Sequence, residues 1–290
     1  MSIRLIASDM DGTLLNPQIT ISKANIDAIR KLQRTGIEFI ICSGRDYQEA
    51  KDIMDTCDIT CSYICLSGAM VYSEDGESIS ETPLTAQNLV DIERILESQQ
   101  VDMDIRTASG RYTTATKAQK QKEFYSFLKK KLPSSAFTSQ ELETMVQQRL
   151  ESTTFIRSLK ELPPDTRVFK ICSNGLPVHT VETLKEIFAD FPAVAAASSF
   201  PDNIELTNQA AQKGTALKAY AERRGISLKD VMVLGDSDND LSMFTPEFGW
   251  TVAMGNAMPC IREAAKYHTT SNAEDGVAKA IDKLVFQENL

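Results

Sequence analysis

The chemically loaded residues of this sequence are acids at short spacings, each group following a short apolar run. Asp9 and Asp11 stand two apart in Asp9-Met10-Asp11-Gly12-Thr13, one residue beyond the run Leu5-Ile6-Ala7. In extended backbone, side chains two apart lean to the same side. Carboxylates held that close repel one another unless a proton or a cation lies between them. The pair therefore suits a divalent metal site, or a nucleophile beside a proton donor. The same pressure arises at Gly235-Asp236-Ser237-Asp238-Asn239-Asp240, which places three acids within five residues after Val231 to Leu234. Two more segments sit where a strand meets a helix or a helix begins. In Ser43-Gly44-Arg45, free N–H groups and a hydroxyl can hold phosphate oxygens. Lys213, which opens a helical pattern, is a compact positive charge suited to a phosphoryl group. Taken singly, each piece has a bland reading as a turn, a helix cap or a surface lysine; their joint occurrence, in this order, is the signal.

The elements that must position these residues alternate. Apolar runs at Leu5 to Ala7, Ile37 to Ile41, Tyr63 to Leu66, Val231 to Leu234, Thr251 to Met254 and Tyr267 to Thr270 predict strands. Patterns from Lys23 to Thr35, Asp46 to Thr56, Gly214 to Arg224 and Ala273 to Leu284 predict helices. Strands alternating with helices of this length indicate β-α-β units and a parallel sheet, and in such sheets ligands bind beyond the carboxyl ends of the strands. Asp9 and Asp236 would then face each other across neighbouring strands. A few hard oxygen ligands with open positions suit magnesium, and zinc or copper fits poorly because neither sulfur nor histidine is offered.

The rhythm changes after Pro83. A helix from Thr85 to Ser98, a hairpin from Val101 to Ala115 around Ser109-Gly110, a lysine-rich helix from Lys117 to Leu132 and a helical pattern near Leu142 to Leu159 come first. A strand at Val168 to Cys172, a helix at Val181 to Phe188 and a strand at Ile204 to Leu206 follow. The expected fold is α/β: a Rossmann-like parallel-sheet core from residues 1–84 and 209–290, interrupted by an α+β module at 85–208. The lysines at 117, 120, 122, 129, 130 and 131 are read as a solvated helix face.

The 290 residues carry a net charge of −9 and a pI near 4.9, which argues against a nucleic-acid partner. No apolar run reaches the roughly 18 residues a membrane span needs, and the N-terminus lacks the pattern of a secretory signal. A cytoplasmic monomer is expected. Six cysteines occur, at 42, 57, 61, 65, 172 and 260; the run Cys57, Cys61, Cys65 is read as buried small hydrophobes, since neither His179 nor His268 lies near it in sequence. No G-x-x-x-x-G-K-[ST] loop and no G-x-S-x-G elbow occurs.

Asp9-x-Asp11-Gly12-Thr13, Ser43-Gly44-Arg45, Lys213 and Gly235 to Asp240 together resemble the motifs of the haloacid dehalogenase-like phosphatases. More narrowly the chain resembles the Cof-type branch, with its large α+β cap inserted between the second and third motifs. Gln212 to Leu217, Met254-Gly255-Asn256-Ala257 and Asn272 to Val277 share in the likeness, which is weakest through the cap. Where many relatives have Asn-Gly-Ala after the third strand, this chain has Ser67-Gly68-Ala69. The resemblance implies that Asp9 attacks phosphorus to form an aspartyl-phosphate and that Asp11 serves as general acid and then general base. It implies magnesium on Asp9, the backbone carbonyl of Asp11, and Asp236, with Asp240 and Asp238 completing or orienting that shell. The phosphoryl group would be held by Ser43, the backbone at Met10 and Gly44, Lys213 and Asn239. Arg45 is assigned either a substrate contact or a surface salt bridge. The cap would close over the pocket and select a small phosphomonoester, a sugar phosphate or similar. Alternatives on the same residues are a phosphotransferase or phosphomutase, and a sensor that binds a phosphometabolite without turnover. A response-regulator receiver would leave most of the chain unexplained.

Overall fold

The structure is a computed structural model that describes residues 2–131 and 138–287. The chain divides into two compact units, Met1–Glu81 with Ala211–Leu290, and Thr82–Ala210. In chain order the strands are β1 (Leu5–Ser8), β2 (Glu38–Cys42), β3 (Ser62–Cys65), β4 (Met70–Tyr72), β5 (Ser78–Glu81), β6 (Asp104–Thr107), β7 (Gly110–Thr113), β8 (Thr153–Phe155), β9 (Val168–Asn174), β10 (Val194–Ala197), β11 (Asn203–Asn208), β12 (Val231–Gly235), β13 (Trp250–Ala253) and β14 (Tyr267–His268).

The first unit is built on one sheet, ordered β14-β13-β12-β1-β2-β3-β4-β5. From β14 to β3 the pairing is parallel, with Ser8 level with both Ile41 and Leu234. Every residue of β1 and β12 is buried, as expected of strands covered on both faces. The helices arise where the pattern predicts them: Ser22 accepts a hydrogen bond from the Asn25 N–H to start Lys23–Arg34, and Asp46 does the same from the Glu49 N–H for Tyr47–Asp55. After β1 the chain adds β2 and β3 on one side and later returns to add β12, β13 and β14 on the other. The order of strands reverses at β1, and a crevice opens at the carboxyl ends on either side of such a strand. The antiparallel edge β4-β5 is unforeseen in the sequence pattern, because Ser78-Ile79-Ser80-Glu81 is short and mostly polar.

The second unit carries a sheet ordered β10-β11-β9-β6-β7-β8. Ile105, Ile171 and Leu206 lie level with one another and join Ile92, Ile95, Leu184 and Phe188, from the helices Ala86–Ser98 and Val178–Ala189, in an apolar core. Alternation puts Asp104, Cys172 and Glu205, also level, on the opposite face. There the solvated reading of the lysine-rich helix needs correction. Lys117, Lys122 and Lys129 are exposed, but Lys120 is 2% exposed and donates to Asp104 at 2.6 Å and Glu123 at 2.5 Å. An inward acid on β6 gives that lysine a buried partner. Leu132 and the side chains of Lys130 and Lys131 lie outside the described residues. The pattern near Leu142 to Leu159 is also shorter than expected: the helix Ser139–Glu151 ends there and β8 follows. At the ends of this unit the Leu84 N–H donates to the Val168 carbonyl (2.8 Å), and Asn208 Nδ2 to the Pro83 carbonyl (2.9 Å). Among the described residues no helix is long and apolar enough to cross a membrane.

Candidate active site

Asp9, Ser43 and Asp236 each stand one residue past the end of a strand, and the three strands, β1, β2 and β12, are neighbours in the sheet. Asp9 continues the ladder, its N–H donating to the Leu234 carbonyl at 3.0 Å. The residue is 4% exposed. Lys213, wholly buried, heads the helix Lys213–Arg223 and donates from Nζ to Asp9 Oδ1 and Asp240 Oδ1, both at 2.7 Å. A longer bond of 3.4 Å reaches Asn239 Oδ1. The helix start is pressed into place from below: a Cβ on Gly214 would come 1.9 Å from the Ser242 carbonyl oxygen, and the Gly214 N–H donates to Ser242 Oγ at 2.9 Å.

Asp240 is fully buried and uses both oxygens, taking Lys213 on one and the N–H groups of Asp236 (2.9 Å) and Ser237 (3.1 Å) on the other. It therefore fixes the turn that carries Asp236. Asp236 Oδ1 accepts from Thr13 Oγ1 at 3.0 Å, and Ser237 Oγ donates to Asn239 Oδ1 at 3.0 Å. Gly12, at φ +85°, lies so close that a Cβ there would sit 2.3 Å from Asp236 Oδ2. Each of Asp9, Asp236 and Asp240 presents one oxygen, and those oxygens lie within 4.8 Å of one another. An all-oxygen group without sulfur or imidazole fits a hard divalent cation such as magnesium.

Asp11 is not part of this trio. Arg45 donates to both of its oxygens, Nε to Oδ2 at 2.7 Å and a terminal nitrogen to Oδ1 at 2.8 Å, in a half-buried bidentate pair. Burial works against the Arg45 charge, but Asp11 outweighs it and holds the guanidinium firmly protonated. Ser43 is 1% exposed and its Oγ accepts from the Arg45 N–H at 3.1 Å. Gly44 lies between them. The Met10 side chain is fully buried, and its carbonyl accepts from Thr13 and Leu15. Asp238 opens the short turn Asp238–Met243. After β3, Leu66, Ser67 and Gly68 all have positive φ (49°, 61° and 108°). The Leu66 and Ser67 N–H groups donate to the carbonyls of Arg45 and Ser43, and a Cβ on Gly68 would meet the Gln212 backbone at 2.4 Å. This turn thus braces both the Ser43 loop and the Lys213 helix.

Thr13, Ser237 and Ser242 are contributors that sequence reasoning did not single out as site residues. Thr13 and Ser237 lie inside quoted motifs, but their partners are set only by the packing.

Burial raises the Asp9 carboxyl well above its usual range; Lys213 opposes that, while Asp240 and Asp236 add to it. Burial, then Asp240, pushes Asp236 up from 3.8 to about 7. For Lys213 burial is outweighed by Asp240 and Asp9, so it stays protonated. A raised carboxyl holds its proton in the folded state where the unfolded chain has lost it, so stability falls as pH rises through that window. Without divalent ions the protein is expected to lose stability between pH 3.8 and about 7. Asp236→Asn should flatten that slope in urea unfolding with a chelator present; an unchanged slope would show that Asp236 does not set it.

Compared with known proteins, residues 6–281 match haloacid dehalogenase-like hydrolase. Phosphatase YwpJ of Bacillus subtilis is 29% identical over 288 residues, covering 98% of this chain and 100% of YwpJ. The 5-amino-6-(5-phospho-D-ribitylamino)uracil phosphatase YwtE of the same organism is 28% identical, with 98% of both chains covered. A solved haloacid dehalogenase-like hydrolase from B. subtilis superposes with a TM-score of 0.83 at 28% identity, over 97% of this chain and 100% of that one. The crevice of acids and lysine beside β1 is therefore that of a chain that belongs to the haloacid dehalogenase-like hydrolases.

Proposed function

We propose that the protein is a magnesium-dependent phosphatase of small phosphomonoesters working through an aspartyl-phosphate on Asp9. The observation that carries this reading is the buried Asp9 carboxylate held 2.7 Å from Lys213 beside Asp236 and Asp240. Named phosphatases among its relatives support it. Magnesium would be held by Asp9, Asp236 and the Asp11 carbonyl, with Asp240 orienting the shell, and supplies positive charge against which an anionic ester can approach an anionic carboxylate.

An Asp9 oxygen forms a bond to phosphorus as the ester oxygen leaves, and Asp11 gives its proton to that alcohol. Water then attacks the phosphorus, Asp11 takes the proton back, and phosphate departs with Asp9 restored. Lys213, Ser43, Asn239 and the backbone at Met10 and Gly44 hold the phosphoryl oxygens, because such transfers depend chiefly on positioning and electrostatics. Asp11 has both oxygens on Arg45, so opening of that pair precedes proton transfer. Arg45 serves as the restraint on Asp11 and as a contact for the incoming ester. Choice of leaving group is assigned to the inserted unit, whose sheet bears Asp104, Arg106, Lys170 and Glu205 on its polar face. The five buried thiols, all unpaired like that of Cys260, suit a reducing cytoplasm.

A screen of phosphorylated metabolites with magnesium, reading free phosphate, tests the activity; transfer to an added alcohol instead of release would favour a phosphotransferase. Asp11→Asn tests the intermediate. With p-nitrophenyl phosphate, whose phenolate leaves without a proton, the variant should release a burst of about one equivalent and then turn over on the order of 10²–10⁴-fold more slowly. With an alkyl phosphate no burst is expected. Unaltered steady-state turnover would remove Asp11 from both proton transfers.

A further inference from the structure

Two segments take no part in the proposed chemistry: Met254-Gly255-Asn256-Ala257, after β13, and the one opening at Asn272, after β14. Both lie on the β12 side of the acid cluster. Asn256 is exposed, yet its side-chain amide is committed at both ends. Nδ2 donates to the Gly12 carbonyl at 2.8 Å, and Oδ1 accepts the Asn272 N–H at 2.9 Å. Asn272 in turn donates from Nδ2 to the Leu15 carbonyl at 2.7 Å. The two asparagines thus bind each other and grip the carbonyls at both ends of the Gly12–Leu15 turn. The segment carrying Asn256 also touches the other acid, since the Met258 N–H donates to the Asp236 carbonyl at 2.8 Å. Its path is tightly set: the Gly255 N–H donates to the Thr270 carbonyl at 3.0 Å, and a Cβ on Gly255 would meet the Ser271 nitrogen at 2.7 Å.

A lone exposed hydrogen bond contributes little, because water replaces it at small cost. Here the bonds are shared and end on backbone whose displacement is felt by a carboxylate. Gly12 leaves room for nothing larger than hydrogen against Asp236 Oδ2, and Thr13 donates to the same group. A turn that relaxes by a few tenths of an ångström therefore changes the separation of the carboxylates on either side of it.

We infer that Asn256 and Asn272 are positioning residues, a paired clamp that seats the Gly12 turn against Asp236 and so sets the spacing of the oxygens that receive the divalent ion. The inference rests on the reading of Asp9 and Asp236 as that ion's ligands. Neither asparagine touches substrate, and removing either should act on metal affinity before it acts on ester binding.

The test uses the full chain as wild type, Asn256→Ala, Asn272→Ala and the double variant. Binding of manganese alone is followed by the loss of the free-ion electron paramagnetic resonance signal. Magnesium activation, kcat and KM for p-nitrophenyl phosphate are measured alongside. Groups that orient metal ligands typically alter affinity by about tenfold or more. Each single variant is expected to weaken manganese binding by about that factor and to raise the magnesium needed for half-activation in step, with KM at saturating magnesium within about twofold of wild type. Because one clamp is broken in every case, the double variant should be no weaker than the worse single one. Unchanged manganese affinity in both single variants, while the wild type binds, would overturn the clamp and leave the metal site standing. Losses that multiply in the double variant, or that follow a fall in melting temperature and lower kcat at saturating metal equally, would overturn it too. A wild type that binds no manganese would overturn the reading of the acid cluster itself.

Discussion

Asp9→Asn is expected to abolish phosphate release, by about 10⁴-fold or more, which is the scale on which loss of a catalytic nucleophile is felt. An amide matches the carboxylate in shape but does not displace an alkoxide from phosphorus. The substitution should leave the fold intact for a specific reason. Asn Oδ1 can still accept from Lys213, whose second bond, to Asp240 at 2.7 Å, is untouched. The variant also removes a buried negative charge that burial and two neighbouring acids disfavour. Circular dichroism should show an unchanged spectrum and a melting temperature at or above that of wild type. A folded variant keeping more than about a tenth of wild-type turnover would exclude Asp9 as the nucleophile.

Lys213→Met has the second large effect, and it reaches stability as well as rate. Lys213 is fully buried and is the hydrogen-bonded cation between Asp9 and Asp240. Its removal leaves two buried carboxylates facing each other without compensation. Breaking a buried ion pair from one side costs about 3–5 kcal/mol. The loss should shrink at low pH, since a proton on Asp9, whose carboxyl burial already raises, can replace the missing charge. Added magnesium should recover part of it by binding to the folded state alone. Urea midpoints near neutral pH and near pH 5, with and without magnesium, check both points. Turnover at saturating magnesium should still fall by about 10²–10³-fold, because a fixed positive charge aimed at the phosphoryl oxygens is absent. Equal destabilisation at both pH values would mean that the lysine acts through packing and not through charge.

Much of this was legible in the sequence because the informative signals are local. Leu5 to Ala7 and Val231 to Leu234 are unbroken apolar runs, so they read as buried strands, and the acids that follow them read as strand-end groups. The alternation of runs and helices was enough to infer a parallel sheet, and the change of rhythm after Pro83 to infer an insertion. What stayed hidden depends on partners far apart in the chain. Arg45 could not be matched to Asp11, 34 residues away, and Lys120 read as solvated until the register of β6 put Asp104 beneath it. Asn256 and Asn272 sit in noticeable motifs, but the carbonyls they hold lie 244 and 257 residues away. Strands β5 and β10 are short and poor in large apolar residues, and β4 is only three residues long, so their pairing is set by neighbours and not by their own pattern.

The bond from Asn208 to the Pro83 carbonyl has a consequence for how such a chain can change over generations. It brings the two ends of a segment of well over a hundred residues to within one hydrogen bond of each other. Joining close ends costs little more chain entropy when the loop between them is longer or shorter. Rewriting the residues between Pro83 and Asn208 therefore leaves the ladder of β1, β2 and β12 in register. Under the proposed function, phosphoryl chemistry and choice of customer would then diverge separately, one frozen in the sheet and the other carried on an exchangeable cassette.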